Sequence, residues 1–202
     1  MNRNFRNFNL YLNELMEDIY EQPPDPGHTE ATQAIITKWA SKLHGVKTVL
    51  DVGCGQGFAQ PMFEAIGMTY TGVCLGDDFQ AAEKSGYSVY EDDFSFLPGW
   101  QDDTFDLIFA RHSLEHSPMP LLTLMEWHRV AKTYMILVTP TPRHWTWAGR
   151  NHYSVMVAYQ LQALLERSGW KMIWVDLSDE TEYRFMCQKV PRHQFDPKED
   201  AE

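Results

Sequence analysis

Cysteine is scarce: three residues, Cys54, Cys74 and Cys187, stand in a chain of 202, and no two form a CxxC pair. Odd in number and widely spaced, they exclude a disulfide framework and a clustered thiolate metal site. They fit reduced thiols in a cytoplasmic protein. Positive charge is also short. Against 28 Asp and Glu there are 17 Lys and Arg, for a net charge of −11. A surface that acidic repels a phosphate backbone and offers few counterion-releasing contacts, which disfavours duplex nucleic acid as a partner. No apolar run reaches the ~18 residues of a membrane span, so no membrane partner is expected. Nor does a continuous apolar stretch follow Met1–Phe5, so a secretory leader is not expected either. Internal repeats and low-complexity tracts are absent.

What the chain does have is an ordinary globular composition, 44% hydrophobic and 22% charged, and a length suited to one α/β domain with a small addition. Apolar positions at helical spacing over Leu10–Tyr20 predict a helix, broken by Gln22-Pro23-Pro24-Asp25-Pro26-Gly27. A second helix is expected over Thr29–Leu43, ending at His44-Gly45. Strands and helices then alternate. Strands are expected at Val46–Val52, Thr69–Leu75, Tyr87–Tyr90, Phe105–Ala110 and Tyr134–Thr139. Helices are expected at Ala59–Ile66, around Asp78–Lys84, at Pro120–Lys132 and at Val155–Arg167. Lys171–Leu177 and Tyr183–Lys189 read as a closing hairpin. This alternation predicts a Rossmann-like, doubly wound, mostly parallel seven-stranded sheet with an antiparallel edge strand. The expected division is an N-terminal helical cap over 1–45, a ligand-binding domain over 46–190 and a polar tail over 191–202.

In such a sheet ligands bind at the carboxyl ends of the strands, so the first strand–turn–helix is the place to look. There the sequence reads Leu50-Asp51-Val52-Gly53-Cys54-Gly55-Gln56-Gly57-Phe58. Glycines at 53, 55 and 57 let the main chain turn sharply and approach a ligand closely. A dinucleotide fingerprint needs a small residue at position 58 to pack helix on strand, and Phe58 disfavours it. A phosphate-binding P-loop fails because no Gly-Lys-Ser/Thr follows.

The segment instead resembles the first motif of class I S-adenosylmethionine-dependent methyltransferases. From about Lys47 to Trp170 the chain resembles their type 11 group, which includes ubiquinone and natural-product enzymes. The resemblance makes S-adenosylmethionine the expected cofactor, cradled by Gly53, Cys54, Gly55 and Gly57, with Asp51 shaping the loop near the cofactor's amino-acid end. A carboxylate usually closes the second strand and takes the ribose hydroxyls, but here that place is Cys74. Asp77 or Asp78 could reach the ribose, and Asp77 is the choice made from the sequence. Glu91-Asp92-Asp93-Phe94-Ser95-Phe96-Leu97-Pro98 resembles the adenine motif, assigning the amino-group contact to Asp93 with Phe94 alongside. Ala110 would line the cofactor through its backbone.

Arg111-His112-Ser113-Leu114-Glu115-His116 resembles the family's Leu-Glu-His segment. Methyl transfer is an in-line displacement, so the protein must align the nucleophile and remove its proton. Histidine suits that base, with an unperturbed pKa near 6.5, which makes His116 the first catalytic candidate and His112 the second. Four apart, they would share a face on a helix; the alternative for each is a histidine satisfied within the core. His144 and His152 could converge with them on a metal, but no tight ligand motif supports this, and no metal is expected. The aromatic and cationic stretch Pro140–Tyr153 suits a substrate lid, with Arg143, Trp145, Trp147 and Tyr153 meeting the acceptor; the alternative is a loop packed on the domain. The expected activity is methyl transfer to an oxygen or nitrogen of a small molecule. Two other readings stay open: methylation of a protein side chain, and a non-catalytic cofactor-binding module that regulates a partner.

Overall fold

The computed structural model describes residues 6–16, 26–145 and 151–191. Its centre is a seven-stranded sheet: β1 (Thr48–Val52), β2 (Thr69–Cys74), β3 (Val89–Glu91), β4 (Phe105–Arg111), β5 (Ala131–Pro140), β6 (Trp170–Asp176) and β7 (Glu182–Lys189), in the order β3-β2-β1-β4-β5-β7-β6. The first five strands run parallel, whereas β7 pairs antiparallel with both β5 and β6. The expected doubly wound sheet is thus present, its antiparallel strand lying at the β6 side. The order reverses between β1 and β4, which puts the switch point at the glycine loop.

Alternate residues of the central strands feed two cores. Leu50, Val52, Ile108, Ala110, Met135 and Leu137 point to one face. There they meet Leu124, Trp127 and Val130 of α5 (Pro120–Val130), and Leu161 and Leu165 of α7 (Ala158–Arg167). Val49, Leu107, Phe109, Ile136 and Val138 point to the other. On that side they meet Ile35 and Ile36 of α2 (Pro26–Lys38) and Met62 and Phe63 of α3 (Gln60–Ala65). Burial on both faces explains why these strands read as nearly unbroken apolar runs. The helix expected over 29–43 begins earlier, with Pro26 as its first residue, and yields to a 3-10 turn at Ala40–Lys42. Because α2 buries Ile35 and Ile36 under the sheet, with Trp39 just beyond its end, it is part of the sheet's own packing.

Two more elements complete the frame: α1 (Arg6–Met16), amphipathic and mostly exposed, and α4 (Gly76–Lys84). One expectation needs correcting. The sequence suggested a helix to Lys132 and a strand from Tyr134, but α5 ends at Val130 and β5 begins at Ala131 with nothing between them. The helix's last carbonyls are satisfied from outside, Arg129 and Val130 accepting from the amides of Asp103 and Thr104, so no capping turn is required. Among the described residues no helix is long and apolar enough to cross a membrane.

Candidate active site

β1 ends at Val52 and the chain turns at once. The amides of Gly53 and Cys54 both donate to the Val73 carbonyl, at 2.9 and 3.0 Å, pinning the loop to β2. Gly53 has φ 73°, and a Cβ there would lie 2.6 Å from the Cβ of Ser113. At Gly57 a Cβ would meet the ring of Tyr87 at 2.8 Å. The middle glycine differs: around Gly55 the nearest atom to such a Cβ is Asp78 Oδ2, at 3.9 Å. Close packing therefore fixes the two outer glycines, while the middle of the loop keeps its main chain approachable, as a ligand cradle must.

Asp51, one residue before the end of β1, is 4% exposed, and the Tyr70 hydroxyl donates to its Oδ2 at 2.9 Å. Burial pushes its carboxyl up to about 7, with the Tyr70 hydrogen bond and the Arg111 charge pulling the other way. Contact with Cys74, and then burial, lifts the Cys54 thiol well above its ordinary range, so it stays protonated. Cys74 is buried. Asp77 is exposed on the first turn of α4, whereas half-buried Asp78 turns its carboxylate toward Gly55. Beyond β3, Asp93 is half-buried and its Oδ1 accepts the Ser95 amide at 2.8 Å; burial raises its carboxyl. The Phe94 ring is buried 6.2 Å from the Trp127 ring, and Trp127 Nε1 donates to the Phe94 carbonyl at 2.8 Å. Phe94 thus spends its side chain on the core, as Ala110 does.

At the end of the neighbouring strand β4 a second cluster begins. His112 takes φ 53°, which turns the chain into the 3-10 turn Leu114–His116. His112 and His116 consequently do not share a helical face, correcting the expectation from their spacing. His112 Nε2 sits 2.9 Å from Glu182 Oε1, and Arg111 Nη2 donates to the same oxygen at 2.5 Å. Glu182 opens β7 opposite Pro140, so the antiparallel register of β5 and β7 delivers it. Burial raises the Glu182 carboxyl, but the His112 hydrogen bond and the Arg111 charge outweigh it and hold it near about 2.

Glu115 contrasts with it. It is 1% exposed, among the described residues neither carboxylate oxygen has a side-chain hydrogen-bond donor, and His112 Nδ1 stands 3.6 Å away. Burial pushes its carboxyl up to about 8. The His116 ring meets the His152 ring edge-on, with centroids 4.8 Å apart. Burial first, and His152 second, lower the His116 imidazole to about 4, which leaves it neutral at physiological pH. The segment carrying His152 is stitched to this turn: the Ser154 amide donates to the Glu115 carbonyl at 2.9 Å, and Ser154 Oγ to the Ser117 carbonyl at 2.5 Å.

Of the expected acceptor-binding residues, Tyr153 is half-buried and its hydroxyl donates to the Leu15 carbonyl of α1 at 3.3 Å. Arg143 is exposed at α6 (Pro142–Trp145). The Trp145 side chain and all of Trp147 lie outside the described residues. Glu182 carried no signal in the sequence, because its role depends on strand register. Glu115 was visible in the Leu-Glu-His segment but had no role assigned.

Residues 28–175 match the family model described as "Methyltransferase domain". A fungal protein of Aspergillus luteorubrus, named "Probable methyltransferase ltbC", is 33% identical over 109 residues, 45% of this chain and 38% of that protein. The chain therefore spans well under half the length of that relative. An S-adenosylmethionine-dependent methyltransferase from Aquifex aeolicus superposes with a TM-score of 0.61 at 22% identity, covering 83% of this chain and 100% of that one. Magnesium protoporphyrin IX methyltransferase from Synechocystis, solved with bound S-adenosylhomocysteine, superposes at 0.64 and 16% identity, covering 91% and 96%. With the reversed strand order, the open middle of the glycine loop and a family match over most of its length, this chain belongs to the class I S-adenosylmethionine-dependent methyltransferases.

Proposed function

We propose that the chain transfers a methyl group from S-adenosylmethionine to an oxygen or nitrogen of a small-molecule acceptor. The observation that carries this reading is the contact between Gly53 and Ser113, whose Cβ would be 2.6 Å from a Cβ on Gly53. It sets the glycine loop directly beside the turn that bears His116, so a cofactor on the loop presents its reactive end to the histidine cluster.

The residues fit the cofactor. Gly53, Cys54, Gly55 and Gly57 would cradle it along an approachable main chain, and Asp51 would face its amino-acid end. Asp93 and the Phe94 backbone would border the adenine side, and the Ala110 backbone would line the cofactor at the end of β4. For the ribose, half-buried Asp78 beside Gly55 is better placed than exposed Asp77. When bound, the sulfonium cofactor supplies an electrophilic methyl carbon. The protein's part is to hold the acceptor in line and take its proton. A neutral imidazole at His116 is able to accept that proton as the new bond forms. His112, held by Glu182, positions the turn and does not act as the base. Tyr153 and Arg143 border the acceptor side, and α1, held by Tyr153, lies over the same end.

Calorimetric titration with S-adenosylmethionine and S-adenosylhomocysteine tests the cofactor half. Both should bind, with dissociation constants on the order of micromolar; a folded sample that binds neither overturns the reading. A panel of phenols, carboxylic acids and amines with isotopically labelled cofactor tests the acceptor half. His116→Ala should lower kcat about 100-fold or more while leaving cofactor binding intact. An unchanged kcat would remove His116 from the chemistry.

A further inference from the structure

We propose that Glu115, His116 and His152 form a binding site for a divalent transition-metal ion of the zinc class. One carboxylate oxygen and two imidazole nitrogens from these residues all lie within 4.8 Å of one another. An ion bound at about 2.0–2.2 Å from each needs them roughly 3–4 Å apart, which small side-chain rotations supply. The two segments that bring the ligands are held together by the main chain. Ser154 bonds the Glu115 and Ser117 carbonyls, fixing residue 152 against residues 115 and 116.

Three further observations point to a cation. Glu115 is 1% exposed and, among the described residues, neither carboxylate oxygen has a side-chain hydrogen-bond donor, so a buried acceptor pair faces the two imidazoles. The donor set, two imidazoles and one carboxylate, selects zinc, iron or manganese over calcium or magnesium, which prefer all-oxygen ligands. An outer layer is also present: His112 stands 3.6 Å from Glu115 and is itself fixed by Glu182, which Arg111 also holds. Such supports orient ligands in metal sites.

Three protein ligands leave coordination positions open for a water or an acceptor oxygen. Only this use of the ion rests on the methyl-transfer reading; its binding does not. With the ion in place, the His116 lone pair is committed to it, so the ion takes over from His116 the activation of the acceptor, and His116 is the base only in the metal-free protein. The acceptor hydroxyl then binds the ion through oxygen, its O–H bond breaks, and the proton leaves to water. The oxygen keeps the electron pair that attacks the methyl carbon, and as the new C–O bond forms the methyl C–S bond breaks, its electron pair returning to sulfur to leave S-adenosylhomocysteine. The acceptor class narrows accordingly to hydroxyl compounds, above all those with a second oxygen placed to chelate.

The test uses the full chain, stripped with a chelator and dialysed, then titrated with Zn²⁺ by calorimetry and with Co²⁺ by visible absorption. One ion per chain is expected, with the Co²⁺ ligand-field band of a mixed nitrogen and oxygen site. Glu115→Gln, His116→Ala and His152→Ala should each weaken binding at least about tenfold and abolish that band. Absence of stoichiometric binding, or binding undiminished in all three variants, overturns the proposal. Glu115→Gln preserves shape, and circular dichroism of each variant separates lost ligation from lost fold. Cofactor titration of the same samples keeps the two readings apart. Metal failure with intact cofactor binding sinks only the ion, and the converse sinks only the methyl-transfer assignment.

Discussion

Asp51 and Glu182 are both buried carboxylates, 4% and 6% exposed, one beside the glycine loop, the cofactor half of the proposed site, and one beside the histidine turn, its other half. Burial raises both, yet Asp51 stands at about 7 and Glu182 at about 2. The difference is what each oxygen meets. Glu182 takes the Arg111 guanidinium at 2.5 Å and the His112 ring at 2.9 Å, whereas Asp51 takes a neutral tyrosine hydroxyl. Desolvation is common to both sites; a close cation decides the sign. The histidine half is thus locked by charge, and the cofactor half holds a carboxylate that titrates near neutrality.

The largest effect should come from breaking the wall between the halves. Gly53→Ala places a Cβ 2.6 Å from that of Ser113 at a left-handed φ. Chemical denaturation should show a loss of about 3 kcal/mol. Gly55→Ala, with only Asp78 at 3.9 Å, should cost about 1 kcal/mol and act chiefly on cofactor affinity. Equal losses at the two positions would mean that the wall is not what fixes Gly53.

Glu182→Gln comes next. It leaves Arg111 and His112 without their carboxylate partner, and about 2–3 kcal/mol should be lost at neutral pH. Because the folded-state pKa lies below the ordinary 4.5, the wild-type contribution is present above about 4.5 and lost as pH falls toward about 2. Acid unfolding curves should therefore steepen in the wild type over that window, while the variant stays flatter.

Asp51 shows the opposite sign. Its folded pKa is raised from 3.8 to about 7, so the stability it contributes is present at low pH and lost as pH rises through that interval. Cofactor binding should run the other way. An ammonium group facing Asp51 favours the ionised form, so affinity should tighten up to about tenfold from pH 6 to 8. Asp51→Asn should bind more weakly with no such slope, and a slope that persists would assign it to another group. Smallest is Tyr153→Phe, which removes a single 3.3 Å bond to Leu15. About 0.5 kcal/mol and a small rise in acceptor KM are expected.

The two halves were also unequally legible in the sequence. Strand alternation and the glycine spacing are local signals, set within a few residues, and the sheet and loop followed them. Asp78 rather than Asp77 faces the loop because α4 starts at Gly76 instead of near Asp78, a shift of phase no spacing rule reveals. In the histidine half the partners are distant in sequence. Glu182 reaches His112 across 70 positions through the β5–β7 register, and His152 reaches His116 through the Ser154 bonds. The spacing of His112 and His116 suggested one helical face, but the left-handed residue at 112 removed it.

The close approach of Ser113 to Gly53, where an added Cβ would lie only 2.6 Å from the Ser113 Cβ, has a consequence for how the chain is able to change. Neither position has room to accept a larger neighbour alone. Variants that enlarge the side chain at 113 should be tolerated only beside glycine at 53, so the two sites are expected to be inherited as a pair. Any acceptor-driven shift of the 113–116 turn is also transmitted to the cofactor loop without an intermediary. The two ends of the proposed site would then sense one another through this one close-packed pair.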